Sequence, residues 1–213
     1  MGMTESELIE LDQTIAELTK EWLEIANGRS SFGSGTAAEQ ATAFQMQRLL
    51  PLTAKRCRAR LSPALAAPVD VLVSLVGMSP QTTIMVSEAL QPRQLLLVTS
   101  ENATASLVAI EAWLGSSDRT WKSPAITTRL VPPTDSEITA QAVRGWIAGQ
   151  RAERPSSRIV FDATGGKKSM SVVAGMLAVQ LGLEVVYLDS TFDPSLRMPR
   201  PGSEVVVPIA IPH

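Results

Sequence analysis

The sequence predicts an α/β fold: a mostly parallel, doubly wound sheet with helices on both faces, preceded by a helical appendage. Two observations carry this. Between residues 69 and 190, short apolar runs alternate five times with longer segments of helical period. Those runs are continuous rather than alternating, the pattern of parallel strands covered on both faces. Residues 1–66 lack that rhythm and read as helices alone, so the expected division is an appendage or interface segment over 1–66 and an α/β domain over 67–213.

Leu8, Leu11, Ile15, Leu18, Trp22 and Ile25 recur at three- and four-residue spacing, which predicts a helix over 4–26. Thr4 with Glu7 can form a capping box, and Asn27 and Gly28 are stop residues. A loop of small polar residues follows. A second helical region covers about 36–60, with Phe44, Met46, Leu49 and Leu50 ahead of an interruption at Pro51. Arg48, Lys55, Arg56, Arg58 and Arg60 crowd its end with no acid among them. They read as a solvated helix face; the alternative is a patch that touches nucleic acid or a partner.

From Val69 the period changes. VDVLVSLVG, QLLLVTS, AITTRLVP, RIVFDATGG and LEVVYLDS are strand candidates, and the four segments between them are helices. EVVVPIAIP near the end is one more strand candidate.

Composition narrows the function. With 213 residues, 45% hydrophobic and 19% charged, the chain has ordinary globular character. A net charge of −2 argues against a protein that wraps duplex nucleic acid. No apolar run is long enough to span a bilayer, and the acidic start MGMTESELIELDQ lacks the order of a signal peptide, so a cytoplasmic location is expected. Cys57 is the only cysteine, which excludes an internal disulfide and a cysteine-built zinc cluster. The only histidine is the terminal His213, so histidine-dependent catalysis is not expected.

Open parallel sheets bind ligands beyond the carboxyl ends of their strands. Three strand-end loops gather the suggestive chemistry: GMSPQTT at 77–83, TSEN at 99–102 and DATGGKKSM at 162–170. In the third, Thr164, Gly165 and Gly166 join a strand to a helix, and the glycines would let a ligand approach the backbone amides. Lys167, Lys168 and Ser169 stand at the helix entrance, where free amides and the dipole favour an anion. The plainer reading is a turn with solvated lysines. Ser79 can simply cap a helix that has Pro80 at its first position, and Ser100 can be only a turn or cap residue. Neither G-x-G-x-x-G after the first strand nor G-x-x-x-x-G-K-[ST] occurs, which argues against a nicotinamide enzyme or a P-loop ATPase.

DATGGKKSM resembles the D-x-T-G-G-x-K-x-M signature of the CRISPR-associated Rossmann-fold (CARF) sensor domains, and VSLVGMSPQTTIMVSEALQPRQLLLVTS resembles their opening strand, helix and second strand. The resemblance covers about residues 69–212. It implies a Rossmann-like homodimer that binds a cyclic oligoadenylate across its two-fold seam, cyclic tetra-adenylate first and cyclic hexa-adenylate as the alternative. It assigns Gly77, Met78 and Ser79 to a first ligand loop and Ser100 and Glu101 to a second. Thr164, Gly165, Gly166, Lys167, Lys168 and Ser169 fall in the principal loop, with Lys168 at the motif's lysine and Lys167 at its variable position. Asp162 would shape that loop, and Met170 would anchor the helix. No metal or cofactor is implied. Family members are usually fused to an effector module, and this chain stops just after its last sensor-like strand, so the output would lie in a domain missing from this chain or in residues 1–66. Two further readings follow: a metal-independent ring nuclease using Lys168, Thr164 and Ser79, and a ligand-free dimerisation scaffold.

Overall fold

Helix-forming runs open the chain and βα alternation follows, in a computed structural model that describes residues 3–116, 121–132, 135–194 and 197–209. Helices α1 (Glu5–Ala26), α2 (Ala37–Phe44) and α3 (Leu50–Ala59) come first, then a single turn, α4 (Pro63–Ala66). Next are β1 (Val71–Leu75), α5 (Pro80–Leu90), β2 (Gln94–Thr99), α6 (Thr104–Leu114) and β3 (Ala125–Leu130). After them run α7 (Ser136–Glu153), β4 (Ile159–Asp162), α8 (Lys168–Gln180) and β5 (Glu184–Asp189). The two-residue strands β6 (Phe192–Asp193) and β7 (Met198–Pro199) precede β8 (Val205–Ile209). His213 lies outside the described residues. No helix among the described residues is long and apolar enough to cross a membrane.

The chain forms two compact units, Met1–Leu61 with Asp189–Val205, and Ser62–Leu188 with Val206–His213. In the first, the Thr4 hydroxyl accepts from the Glu7 amide at 3.3 Å and the Thr4 amide donates to the Glu7 carboxylate at 2.7 Å, closing the capping box that opens α1. Thr36 and Glu39 repeat the device at α2. The interruption expected at Pro51 takes another form. A π-helical turn over Gln45–Leu49 links α2 to α3, and Pro51 sits in the first turn of α3. Proline has no N–H to donate to the preceding turn, and the wider turn accommodates it without ending the helix. Leu11, Ile15, Trp22 and Ile25 of α1 bury against Ala41, Phe44 and Leu49. Trp22 Nε1 donates to the Ala41 carbonyl at 3.0 Å.

The basic residues of α3 do not form one solvated face. Arg56 is buried and donates Nη2 to the Glu204 carbonyl at 3.0 Å, while Arg60 pairs with Asp12. Arg48, Lys55 and Arg58 are exposed. Segment 189–205 closes over α1 through Gly202, which has φ +84°; a Cβ there would stand 2.4 Å from Thr19 Oγ1.

In the second unit six strands lie in the order β3-β2-β1-β4-β5-β8, and β3 through β5 pair in parallel. Successive strand residues face opposite sides. Val71, Val73 and Leu75 join Leu96, Val98 and Phe161 in a core shared with Val143 and Ile147 of α7 and Met170 and Leu177 of α8. Ser74 points the other way, to Thr83 of α5. Both faces of β1 are therefore buried, and each such Leu or Val contributes about 1.5–3 kcal/mol relative to exposure. The alternation expected from the sequence is the alternation found, with each strand candidate placed in this sheet. β1 is flanked by β2 on one side and β4 on the other, so chain direction across the sheet reverses between β1 and β4.

Candidate functional site

In open parallel sheets such a reversal marks the ligand edge, because the loops after the two strands leave in opposite directions. Here the two loops touch. A Cβ on Gly165 would lie 1.8 Å from the Leu75 carbonyl oxygen, and one on Gly77 would lie 3.0 Å from the Gly166 nitrogen. Gly166 has φ +82°, a conformation open to glycine. Sequence reasoning assigned these glycines to ligand approach. In the structure Gly165 admits the backbone at the end of β1, and Gly77 admits the β4–α8 loop.

Beneath the loops lies a chain of buried polar groups. Asp162 is fully buried at the end of β4, opposite Ser74 in the β1–β4 register. Its Oδ2 accepts from Ser74 Oγ at 2.7 Å. Its Oδ1 accepts from the Thr164 amide at 2.9 Å and the Thr164 hydroxyl at 2.6 Å. Burial pushes the Asp162 carboxyl above the usual range, against the pull of these donors. The Thr164 oxygen also accepts the Leu188 amide at 2.8 Å, which fastens β5 to the loop. Ser74 Oγ continues the chain to Thr83 Oγ1 at 3.2 Å. Thr164, expected to offer its hydroxyl to a ligand, thus spends it inside the protein as one donor and one acceptor. It is also one of the three residues that the ring-nuclease reading of the sequence names. Asp162 holds the loop-shaping position expected of it.

Above this network the edge is open. Met78, Ser79, Glu101, Lys167, Lys168 and Ser169 are exposed, whereas Ser100 is buried. Helix starts differ across the unit. Ser62 and Asp135 cap α4 and α7 through their side chains. At α5, α6 and α8 the N-cap residues are Ser79, Ala103 and Lys167, and none makes a side-chain capping bond. Ser79 therefore occupies the cap position expected of it, with Pro80 following, but its hydroxyl does not cap. These three helices begin at the edge formed by β1, β2 and β4, so their positive dipole ends collect there, although a 3-10 turn over Glu101–Ala103 uses the Ala103 and Thr104 amides ahead of α6 and Pro80 has no N–H at the start of α5. Ser171 donates to the Gly165 carbonyl at 2.8 Å and holds the principal loop against the start of α8.

Sequence reasoning missed Ser74, Thr83, Ser171 and the Leu188 amide. Ser74 carried a signal, a lone hydroxyl within the apolar run VLVSLV, which a strand buried on both faces tolerates only with a partner. Among the described residues no group of three or more His, Cys, Asp or Glu side chains could hold a metal ion.

A scan of known protein families finds no match to this chain, and a search of curated proteins finds none either. Among solved structures the chain is similar to Can2 from Sulfobacillus thermosulfidooxidans in complex with cyclic tetra-adenylate, at 17% identity and TM-score 0.47, over 56% of this chain and 32% of that one. It is similar to Enterococcus italicus Csm6 bound to cyclic hexa-2'-fluoro-hexa-dAMP, at 12% identity and TM-score 0.45, over 57% and 34% of the two chains. It is also similar to protein VC1899 from Vibrio cholerae, at 12% identity and TM-score 0.45, over 56% and 30%. The matched region spans about a third of each of these three proteins.

Proposed function

We propose that this chain is a sensor that binds a cyclic oligoadenylate, cyclic tetra-adenylate before cyclic hexa-adenylate, at the carboxyl edge of its sheet. The observation that carries this is the gathering of three helix starts without side-chain caps at one edge, beside the exposed Lys167 and Lys168. Free amides and lysines suit the phosphodiesters of such a ring. The DATGGKKSM resemblance supports the ligand class. Gly77, Gly165 and Gly166 fix the two loops, the amides of 168–170 and the Lys168 ammonium hold phosphate, and Met78 and Ser79 face the base or ribose.

A ring with rotational symmetry is matched by a two-fold seam. Helix α8 runs away from the site with Val172, Met176 and Val179 exposed at 62%, 60% and 50%, a stripe spaced for one helix face. Met78, 76% exposed, stands at the same edge. This stripe supplies the homodimer contact in our reading. The bound ring then biases the dimer arrangement and signals to an effector of type III CRISPR antiviral defence.

The test is calorimetric titration with cyclic tetra-adenylate, cyclic hexa-adenylate and a linear oligoadenylate, on the wild type and Lys168→Ala. One ring per two chains, with affinity about tenfold weaker in the variant, is the expected result. No heat with either ring, repeated by an independent binding assay, rejects the proposal.

A further inference from the structure

A groove of about 350 Å³ opens in the N-terminal unit between α1 and the turn at 200–203. Ile15, Leu23 and Pro201 give it apolar walls, and Lys20, Arg56 and Arg200 line it with positive charge beside the single carboxylate of Asp12. Arg56 is the informative member. It is 7% exposed, it stands 3.8 Å from the Asp12 carboxylate, and among the described residues its Nε–H has no acceptor. Buried guanidinium donors are ordinarily all satisfied, because leaving one unpaired forfeits its hydration with nothing in return.

Each neighbouring carboxylate also has a partner other than Arg56. Asp12 pairs with Arg60, and Asp193 pairs with Arg200 at 3.0 Å. The Glu204 carboxylate accepts the Gly202 amide at 2.7 Å, and burial raises its pKa despite that bond and Arg56. Lys20 is exposed at the surface of the groove.

We propose that this groove binds the phosphate group of a small phosphate monoester, with Arg56 as its buried anchor and Lys20 and Arg200 beside it. A phosphate has enough oxygens to meet a guanidinium and two further cations at once, which a carboxylate lacks. The apolar walls suit an organic remainder, and the volume, at the small end of ligand pockets, limits its size. This site belongs to a different unit from the sheet edge and does not depend on the function proposed for that edge.

The experiment is thermal denaturation and calorimetric titration of the full chain with phenyl phosphate, inorganic phosphate and benzoate, at ionic strength matched with sodium chloride. Wild type, Lys20→Gln, Arg56→Lys and Lys168→Ala are compared. Lys20→Gln alters only an exposed side chain, so it keeps the test decisive if Arg56→Lys fails to fold. Phenyl phosphate should raise the melting temperature more than inorganic phosphate, and benzoate should do little. The affinity should fall about tenfold in Lys20→Gln and hold in Lys168→Ala. A response to benzoate equal to that for phenyl phosphate, loss of binding in Lys168→Ala, unchanged binding in Lys20→Gln, or no binding by wild type would each overturn the proposal.

Discussion

Replacing Gly165 by alanine tests whether two backbones really meet at the sheet edge. The added methyl would sit 1.8 Å from the Leu75 carbonyl oxygen, where real Cβ contacts come no closer than 3.0 Å. The loop and the strand end must part by more than an ångström, and both are backbone, so neither can rotate away. Overpacking of this kind costs about 3 kcal/mol, the upper end of the usual range. For a chain of this size that lowers the melting temperature by about 6–12 °C. Gly175, ten positions on within α8, has nothing within 4 Å of its would-be Cβ. Gly175→Ala should therefore gain about 1 kcal/mol of helix propensity and melt about 2–4 °C higher. Circular dichroism melts of the two variants read the contrast directly. A Gly165→Ala protein that melts within about 2 °C of wild type would refute the close approach of β1 and the β4–α8 loop.

Three other outcomes follow from the buried network and the surface ion pairs. Thr164→Val should cost about 2–4 kcal/mol in urea denaturation, because it strands the Leu188 amide and removes a donor from Asp162, and Thr164→Ser should recover most of it; equal losses would contradict the assignment of the cost to the hydroxyl. Asp162 holds its proton more tightly folded than unfolded, so its contribution is greatest below the ordinary aspartate range and is lost as pH rises through that range to its raised folded value. The stability of Asp162→Asn relative to wild type should accordingly grow with pH from about 3 and then level off, and a difference flat from about pH 3 to about pH 8 would contradict the burial argument. Arg158 donates Nε to Glu184 at 2.8 Å and Nη2 to the Ala64 carbonyl at 2.8 Å, and it holds the Glu184 carboxyl below the usual range. In Arg158→Gln, carbon-detected NMR should show Glu184 titrating at higher pH; an unmoved midpoint would leave that pair without influence.

The order of strands and helices was legible because the signals were local. VLVSLV and QLLLVT are apolar at all but Ser74, Gln94 and Thr99, and a run covered on both faces needs no knowledge of what covers it. Thr4 and Glu7 lie three apart and cap the helix they precede. What escaped were roles decided by partners distant in sequence. Arg56 looked like one cation among five, yet its acceptor is the carbonyl of Glu204, and nothing near residue 56 foretells that. Thr164 looked like a ligand group because it stands in the loop with the glycines and lysines; its hydroxyl turns inward because Asp162 and Leu188 stand on either side of it. The glycine pair carries a second constraint that the sequence does not show, the crowding of Gly165 by the Leu75 carbonyl. In each case residue type and loop were readable, and the direction of the side chain was not.

The passage of the chain from β5 into segment 189–205 and back to β8 bears on how the protein is made. On the ribosome α1 to α3 emerge first, yet the Glu204 carbonyl that receives Arg56 arrives 148 residues later, and the Pro201 carbonyl that meets Thr19 arrives 182 residues after it. Until then Arg56 must wait in water or find a temporary acceptor. The helical unit therefore cannot mature as an independent early product of translation, and the sheet must lay down β1 to β5 before the first unit is complete. A chain lacking α1 to α3 would likewise leave Asp193, Gly202 and Glu204 without the surface they were shaped against.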